Sequence, residues 1–251
     1  MIDVHAHIED IDLANIDLIL QKCKEEGLEK IIFNGYDLNS NKIVNELSLK
    51  YDMIYGAVGY MYDENITYTK NDFKILEEYI SKNKKIVAIG EFGIDYYWYK
   101  NKKEEQKELV IKHFNLAKKY NLPVIFHSRD SISDTYDIFN EYNNIKKILH
   151  CYSGSLDMAK KFIKCNTYLS FNGIITFKNA KTTTEVIKNI DMEYILTETD
   201  SPYLTPEPYR GKRNYSYFLP HVVNKISEIK NLDNNQVIKM VKINTLNIFD
   251  F

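Results

Sequence analysis

Short runs of β-branched and aromatic residues recur along this chain, each followed by a longer stretch whose apolar positions return every three or four residues. The runs are MIDVHAH (1–7), EKIIFNG (29–35), MIYGAVG (53–59), KIVAIGEFG (85–93), LPVIFHS (122–128), KKILHCY (146–152), TYLSFNG (167–173) and YILTETD (194–200). Between them, FKILEEYISK (73–82) puts Phe73, Leu76, Tyr79 and Ile80 on one face, and KEEQKELVIKHFNLAKKY (103–120) keeps its apolar residues on one stripe. These are amphipathic helices, and the runs are strands. Eight strand signals alternating with helices in 251 residues predict an α/β fold, a (β/α)8 TIM barrel. A doubly wound open sheet is the other α/β arrangement, but no glycine-rich phosphate fingerprint follows the first strand. No Pro/Gly/Ser linker or composition break divides the chain, so residues 1–251 are expected to form a single domain.

Composition narrows the function. A 44% hydrophobic content supplies a substantial core, and 33 basic against 35 acidic residues leave a formal charge of −2. That balance excludes a polybasic DNA-coating protein and an acidic disordered tail. Three cysteines without a C-x-x-C give neither a disulfide framework nor a thiolate cage, which points to a reducing, cytoplasmic compartment. The opening MIDVHAHIED carries charge and histidine where a signal peptide would be apolar, and the longest apolar runs are strand-sized, so no membrane association is expected. Only Arg129, Arg210 and Arg213 are arginines, against 30 lysines; an arginine in such a chain suggests a need for a planar, bidentate fork.

The unusual residues fall at predicted strand ends: His5 and His7 on the first, Glu91 on the fourth, His127 on the fifth, His150 on the sixth and Asp200 on the eighth. In a barrel the C-terminal strand ends form the mouth, where these side chains converge. The i, i+2 spacing of His5 and His7 aims both imidazoles inward; Asp3 is expected on the same face one layer deeper, with Glu198 in the same relation to Asp200, both orienting ligands. Four histidines and two carboxylates suit divalent transition metals, and exceed what one tetrahedral ion with an open position needs. Two ions sharing a bridging carboxylate would use all six, activating a water and clamping a phosphoryl group. Zn, Mn and Mg all remain open. Any one histidine at a strand end is more often a packed side chain than a ligand; four of six on one rim is a different matter. His113, inside a helical stripe, and His221, in the last helical region, read as structural. Cys151 reads as a buried thiol. The aromatic stretch DYYWYK is open between a base-stacking platform and rim packing.

These residues carry a family resemblance. The chain resembles the TatD-type metal-dependent deoxyribonucleases, among the amidohydrolase-like barrels, through DVHAH (3–7), GEFGIDYYW (90–98), EEQKELVIKHFNLAKKYNLPVIFHSRD (104–130), HCYSG (150–154), SFNGIITFKNAK (170–181), TETDSPYL (197–204) and RGKRN (210–214). The resemblance implies one ion on His5, His7, Glu91 and Asp200, and a second on Glu91, His127 and His150, with Glu91 bridging. It implies that Asp200 orients or deprotonates the attacking water, and that the activity is hydrolysis of nucleic-acid phosphodiesters, often from a 3′ end. Glu91 stands where many amidohydrolases carry a carboxylated lysine, which argues against a dihydroorotase-like or phosphotriesterase-like enzyme. After Asn214 the chain reads Tyr215-Ser216, where the family commonly has proline two residues on.

Arg129, beside His127, is the first candidate for a substrate phosphate, with a salt bridge to Asp130 as its alternative; Arg210 and Arg213 come second. A neutral chain with a pocket-like mouth favours an exonuclease on single-stranded or frayed DNA ends, with RNA also possible and no obligate protein partner. The competing functions are a binuclear hydrolase of an ester, amide or aminoacyl-tRNA, and a metal-binding scaffold without catalysis.

Overall fold

The computed structural model describes all of residues 1–251. Eight strands follow one another around one sheet: β1 (Ile2–Ala6), β2 (Lys30–Asn34), β3 (Ile54–Val58), β4 (Ile86–Asp95), β5 (Val124–Arg129), β6 (Lys147–Leu149), β7 (Thr167–Phe171) and β8 (Ile195–Thr197). Every ladder is parallel. The seam between β8 and β1 closes at the mouth, where the His7 N–H donates to Ser201 O at 2.6 Å and the Asp200 N–H donates to His5 O at 2.9 Å. The result is a single (β/α)8 barrel.

The helices are α1 (Asp10–Leu13), α2 (Ile16–Glu25), α3 (Leu38–Lys50), α4 (Lys70–Lys82), α5 (Lys103–Tyr120), α6 (Ile132–Glu141), α7 (Leu156–Lys164), α8 (Lys181–Asn189), α9 (Leu219–Lys230) and α10 (Asn234–Ile248). Their starts are chemically marked. Capping boxes pair Asp37 with Ser40 before α3, Thr69 with Asp72 before α4 and Asp233 with Gln236 before α10, satisfying amides that have no intrahelical partner. Asn121 ends α5 in a left-handed conformation at φ 53°, one that asparagine tolerates. No helix is long and apolar enough to cross a membrane.

Two apolar layers result. The outer one, between strands and helices, gathers 52 buried residues, against 12 in the barrel interior, so most of the burial energy lies outside the barrel lumen. Inside, Ile2, Val4, Ile32, Ala57, Ile125, Ile148 and Leu196 fill the lumen, and Ile248 with Phe249 join them from the C-terminal segment. This packed floor supports the polar mouth.

Candidate metal centre at the barrel mouth

Two β-bulges aim the donors. The β1–β2 register slips between Asp3 and Ala6, and the β4–β5 register slips between Ile89 and Phe92. Ile2 and Val4 point into the lumen, so unbroken alternation would send His5 out toward the helices; the bulge brings it in. Ile89 and Phe92 both face the helical layer, and the extra residue between them frees Glu91 to face the mouth. His127 follows from ordinary alternation after lumenal Ile125, and His150 from Ile148. Asp200 comes three residues past β8 on a backbone at φ 55°, a left-handed position that is uncommon for a non-glycine residue.

Four imidazoles converge on Glu91. Its Oε2 lies 3.1 Å from His7 Nε2 and 3.6 Å from His5 Nε2, while its Oε1 lies 3.2 Å from His127 Nδ1 and 3.1 Å from His150 Nε2. Asp200 Oδ1 sits on the first side only, 3.5 Å from His5 Nε2 and 3.7 Å from His7 Nε2. One carboxylate thus faces two imidazole pairs with separate oxygens.

The tautomers show what this arrangement wants. His7 Nδ1 is 2.9 Å from the carbonyl of Asn34, and His127 Nε2 is 3.0 Å from Asp95 Oδ2. Those oxygens can only accept, so both nitrogens carry hydrogens, and the opposite nitrogens aim lone pairs at Glu91. Lone pair facing carboxylate is repulsive unless a cation or proton lies between. The donor set therefore fits divalent metal ions, with imidazole and carboxylate ligands suited to Zn or Mn and compatible with Mg. Titration follows the same logic. Burial resists ionisation of Glu91, but His150, His127 and His7 outweigh it and hold its carboxyl well below the usual range. Burial resists charging of His150, His127 and His7 too, yet Glu91 raises His7 and, with Glu198, His150, while Asp95 and then Glu91 raise His127. His5, enclosed and next to His150, goes down instead. The pocket attracts positive charge.

The carboxylates behind the donors differ from expectation. Glu198 Oε1 lies 3.5 Å from His150 Nδ1 and accepts from the Cys151 N–H and the Asn172 amide, as an orienting group should. Asp3 does not lie beneath His5. Between lumenal Ile2 and Val4 it keeps to the outer face, ahead of the slip that turns His5 inward, and accepts from the Thr199 N–H at 2.9 Å and the Thr199 hydroxyl at 2.6 Å. It steadies the segment carrying Asp200, and burial pushes its carboxyl up to about 7. Asp95 was missed. It continues the alternation Glu91, Gly93, Asp95 along β4, and that spacing was the signal that could have found it. Asn214 also holds the Asp200 segment, donating to the carbonyls of Thr199 and Tyr203, with tyrosine and serine following it in place of the proline pattern.

The arginines separate into two kinds. Arg213, expected at a phosphate, is bound by Asp12 at 2.6 Å and Glu9 at 2.8 Å, so its fork already has carboxylate partners in the β1–α2 connection. Arg129 and Arg210 have no ion pair, and Arg129 makes none with Asp130. Each lies over an aromatic ring, Arg129 at 3.9 Å from the centre of Tyr97 and Arg210 at 4.2 Å from that of Phe177. His113 is fully buried, donating from Nδ1 to Leu109 O and accepting the Tyr60 N–H at Nε2. His221 packs beside Tyr209 and Phe218. Burial pushes the Cys151 thiol up to about 12, far from a reactive thiolate.

Known proteins resemble the chain along its whole length. The family model described as "TatD related DNase" matches residues 2–250. "Uncharacterized metal-dependent hydrolase YabD" of Bacillus subtilis is 38% identical, over 99% of this chain and 98% of its own length. Among solved structures, the TatD homologue YjjV of Escherichia coli superposes with a TM-score of 0.94 at 25% identity, covering 100% of this chain and 98% of that one. A TatD-family hydrolase from Entamoeba histolytica shares the fold at a TM-score of 0.88 and 24% identity, covering 99% of this chain and 97% of that one.

Proposed function

The chain belongs to the TatD related DNase family, and we propose that it is a binuclear metal-dependent hydrolase that removes nucleotides from single-stranded or frayed DNA ends, working 3′ to 5′. The observation that carries the reading is Glu91, whose two oxygens each face a separate imidazole pair. His5, His7, Glu91 and Asp200 would hold one ion, and Glu91, His127 and His150 the other. Bound there, two divalent ions would make water acidic enough to ionise near neutral pH and offset the charge that develops on a phosphodiester.

The protein's own groups do the rest. Asp200, the one donor carboxylate carried on a loop beyond its strand, is the acceptor for the proton of an attacking water. Asp95 keeps His127 turned lone pair inward, and Glu198 stands 3.5 Å behind His150 Nδ1. Arg129, with no carboxylate to neutralise it, offers its fork to a non-bridging phosphate oxygen. A chain of net charge −2 has few cations left to track a backbone, so attraction for phosphate is concentrated at the mouth. That favours a strand end entering a pocket over a duplex lying along a groove.

The test is digestion of linear against covalently closed circular single strands with added Zn, Mn or Mg, across a salt series. The linear strand should be shortened and the circle spared. The salt slope should correspond to about one to three neutralised phosphates, not the six to ten of a duplex tracker. Equal cleavage of the circle would overturn the end preference; full activity in thoroughly chelated protein would overturn the metal chemistry.

A further inference from the structure

Beyond the metal centre, the rim where β4 and β5 end carries two large exposed aromatics. Tyr97 is 56% exposed and Trp98 68%, the latter more open than any other aromatic side chain of the protein. They meet edge to face, with ring centres 4.9 Å apart, and the guanidinium of Arg129 lies 3.9 Å from the centre of Tyr97 and 6.0 Å from that of Trp98. Arg129 has no carboxylate partner, so an unpaired positive charge adjoins an open π surface. An exposed tryptophan and tyrosine cost solvation and contribute little to the fold.

The platform is also wired to the centre. Asp95 Oδ1 accepts from the Tyr97 N–H at 3.0 Å and the Trp98 N–H at 3.1 Å, while its Oδ2 accepts from His127 Nε2 at 3.0 Å. The Tyr96 N–H donates to the Arg129 carbonyl at 2.9 Å, and Asp95 and Arg129 are paired across β4 and β5. One carboxylate therefore sets the position of a metal-binding imidazole and of the aromatic pair together. No loose loop intervenes.

We infer that Tyr97, Trp98 and Arg129 form a nucleobase subsite: a base stacks on the exposed aromatics while the Arg129 fork holds the adjoining phosphate. The inference rests on the nucleic-acid reading above and sharpens it, since it assigns the recognised unit as a base with its phosphate, without regard to base identity. Every base has a π face, and stacking on an aromatic side chain contributes about 1–3 kcal/mol per base, so recognition should be sequence-tolerant. A peptide or small ester offers no such flat, phosphate-flanked partner.

Trp98 is the single tryptophan of the chain, so its fluorescence reports this subsite alone. The wild-type protein, held in chelator to prevent turnover, is titrated with oligothymidylate and with the same strand lacking bases. Saturable quenching is expected with the former, and binding of the baseless strand should be weaker by about 5–150-fold, the equivalent of one stacked base. In the metal-loaded enzyme, Trp98→Ala should raise KM for the oligothymidylate by a similar factor with kcat little changed, and leave KM for the baseless strand unmoved. Trp98→Phe should restore most of the loss. Unmoved fluorescence together with an unchanged KM in Trp98→Ala would overturn the subsite while leaving the nuclease reading intact. Base-dependent quenching without cleavage of any strand would support the subsite and count against the proposed reaction.

Discussion

His113 should make this protein acid-sensitive in a calculable way. Its ring lies flat against Phe92, with centres 4.5 Å apart and planes 10° from parallel, and both its nitrogens are engaged. Burial lowers its pKa from 6.5 to about 3. In the unfolded chain it regains the ordinary value. The native state therefore keeps the ring neutral where the unfolded state charges it, so the unfolded state binds the extra proton. Stability from this residue is fully present above pH 6.5, falls as pH drops below that value, and levels off near pH 3. Linkage between those two values gives a loss of about 2 kcal/mol between pH 7 and pH 5, and about 3 kcal/mol by pH 4. The perturbation is His113→Gln, which keeps an acceptor for the Tyr60 amide and cannot charge. At pH 7 the variant should be less stable by about 1–2 kcal/mol, having lost the stack. Urea unfolding of both proteins from pH 8 to pH 4 is the assay. Every other titrating group is common to the two, so the difference isolates His113: the gap should close and then reverse as pH falls. Parallel curves would refute the reasoning. The contact adjoins the barrel mouth: the residue before Tyr60 is Gly59, where a Cβ would come within 2.9 Å of the Glu91 carbonyl.

Other perturbations separate the roles around the mouth. Glu91→Ala and Asp200→Ala should abolish turnover with little change in the unfolding midpoint, since the apolar layers lie below and outside them; near-normal activity in Glu91→Ala would sink the bridging role. Glu198→Gln and Asp95→Asn should each weaken metal affinity by about 10–100-fold, read by competition with a chromogenic chelator, and an effect on neither affinity nor rate would dismiss them as orienting groups. Arg129→Ala should lower the salt slope of strand binding by about one unit, equally across sequences. Arg213→Ala should leave that slope alone and destabilise the fold by about 1–2 kcal/mol, because it strips a fork from Asp12 and Glu9; a lowered slope would return it to the substrate.

Much of the architecture can be read from the residues because a parallel barrel writes its strands as apolar runs and its helices as stripes. Helix α5 spans the stripe 103–120 residue for residue. Helix α4 begins three residues before Phe73, at Lys70, because its start is set by the Thr69–Asp72 capping box, polar chemistry to which hydrophobic periodicity is blind. The bulges were not legible. Counting in twos from His5 gives the right direction for His7 and the wrong one for Asp3, because the slip in β1 falls between Asp3 and Ala6. Asp95 was hidden differently: only once Glu91 is taken as inward-facing does the alternation reach it. Arg213 shows the limit of residue type alone. A fork can serve a phosphate or two carboxylates, and here the carboxylates lie 201 and 204 positions upstream.

The seam between the first and eighth strands has a consequence in time. His5 is synthesised before Asp200, which follows after a delay of roughly 10–40 s at ordinary synthesis rates. Until then β1 has a neighbour on one side only, and the hydrogen bonds from His7 to Ser201 and from Asp200 to His5 have no second partner. Five donors can be translated and even folded while the sixth, and the edge that aligns the first two, do not yet exist. A growing chain thus lacks the full donor set while it is being made; all six side chains come together in one step, when the last strand closes against the first.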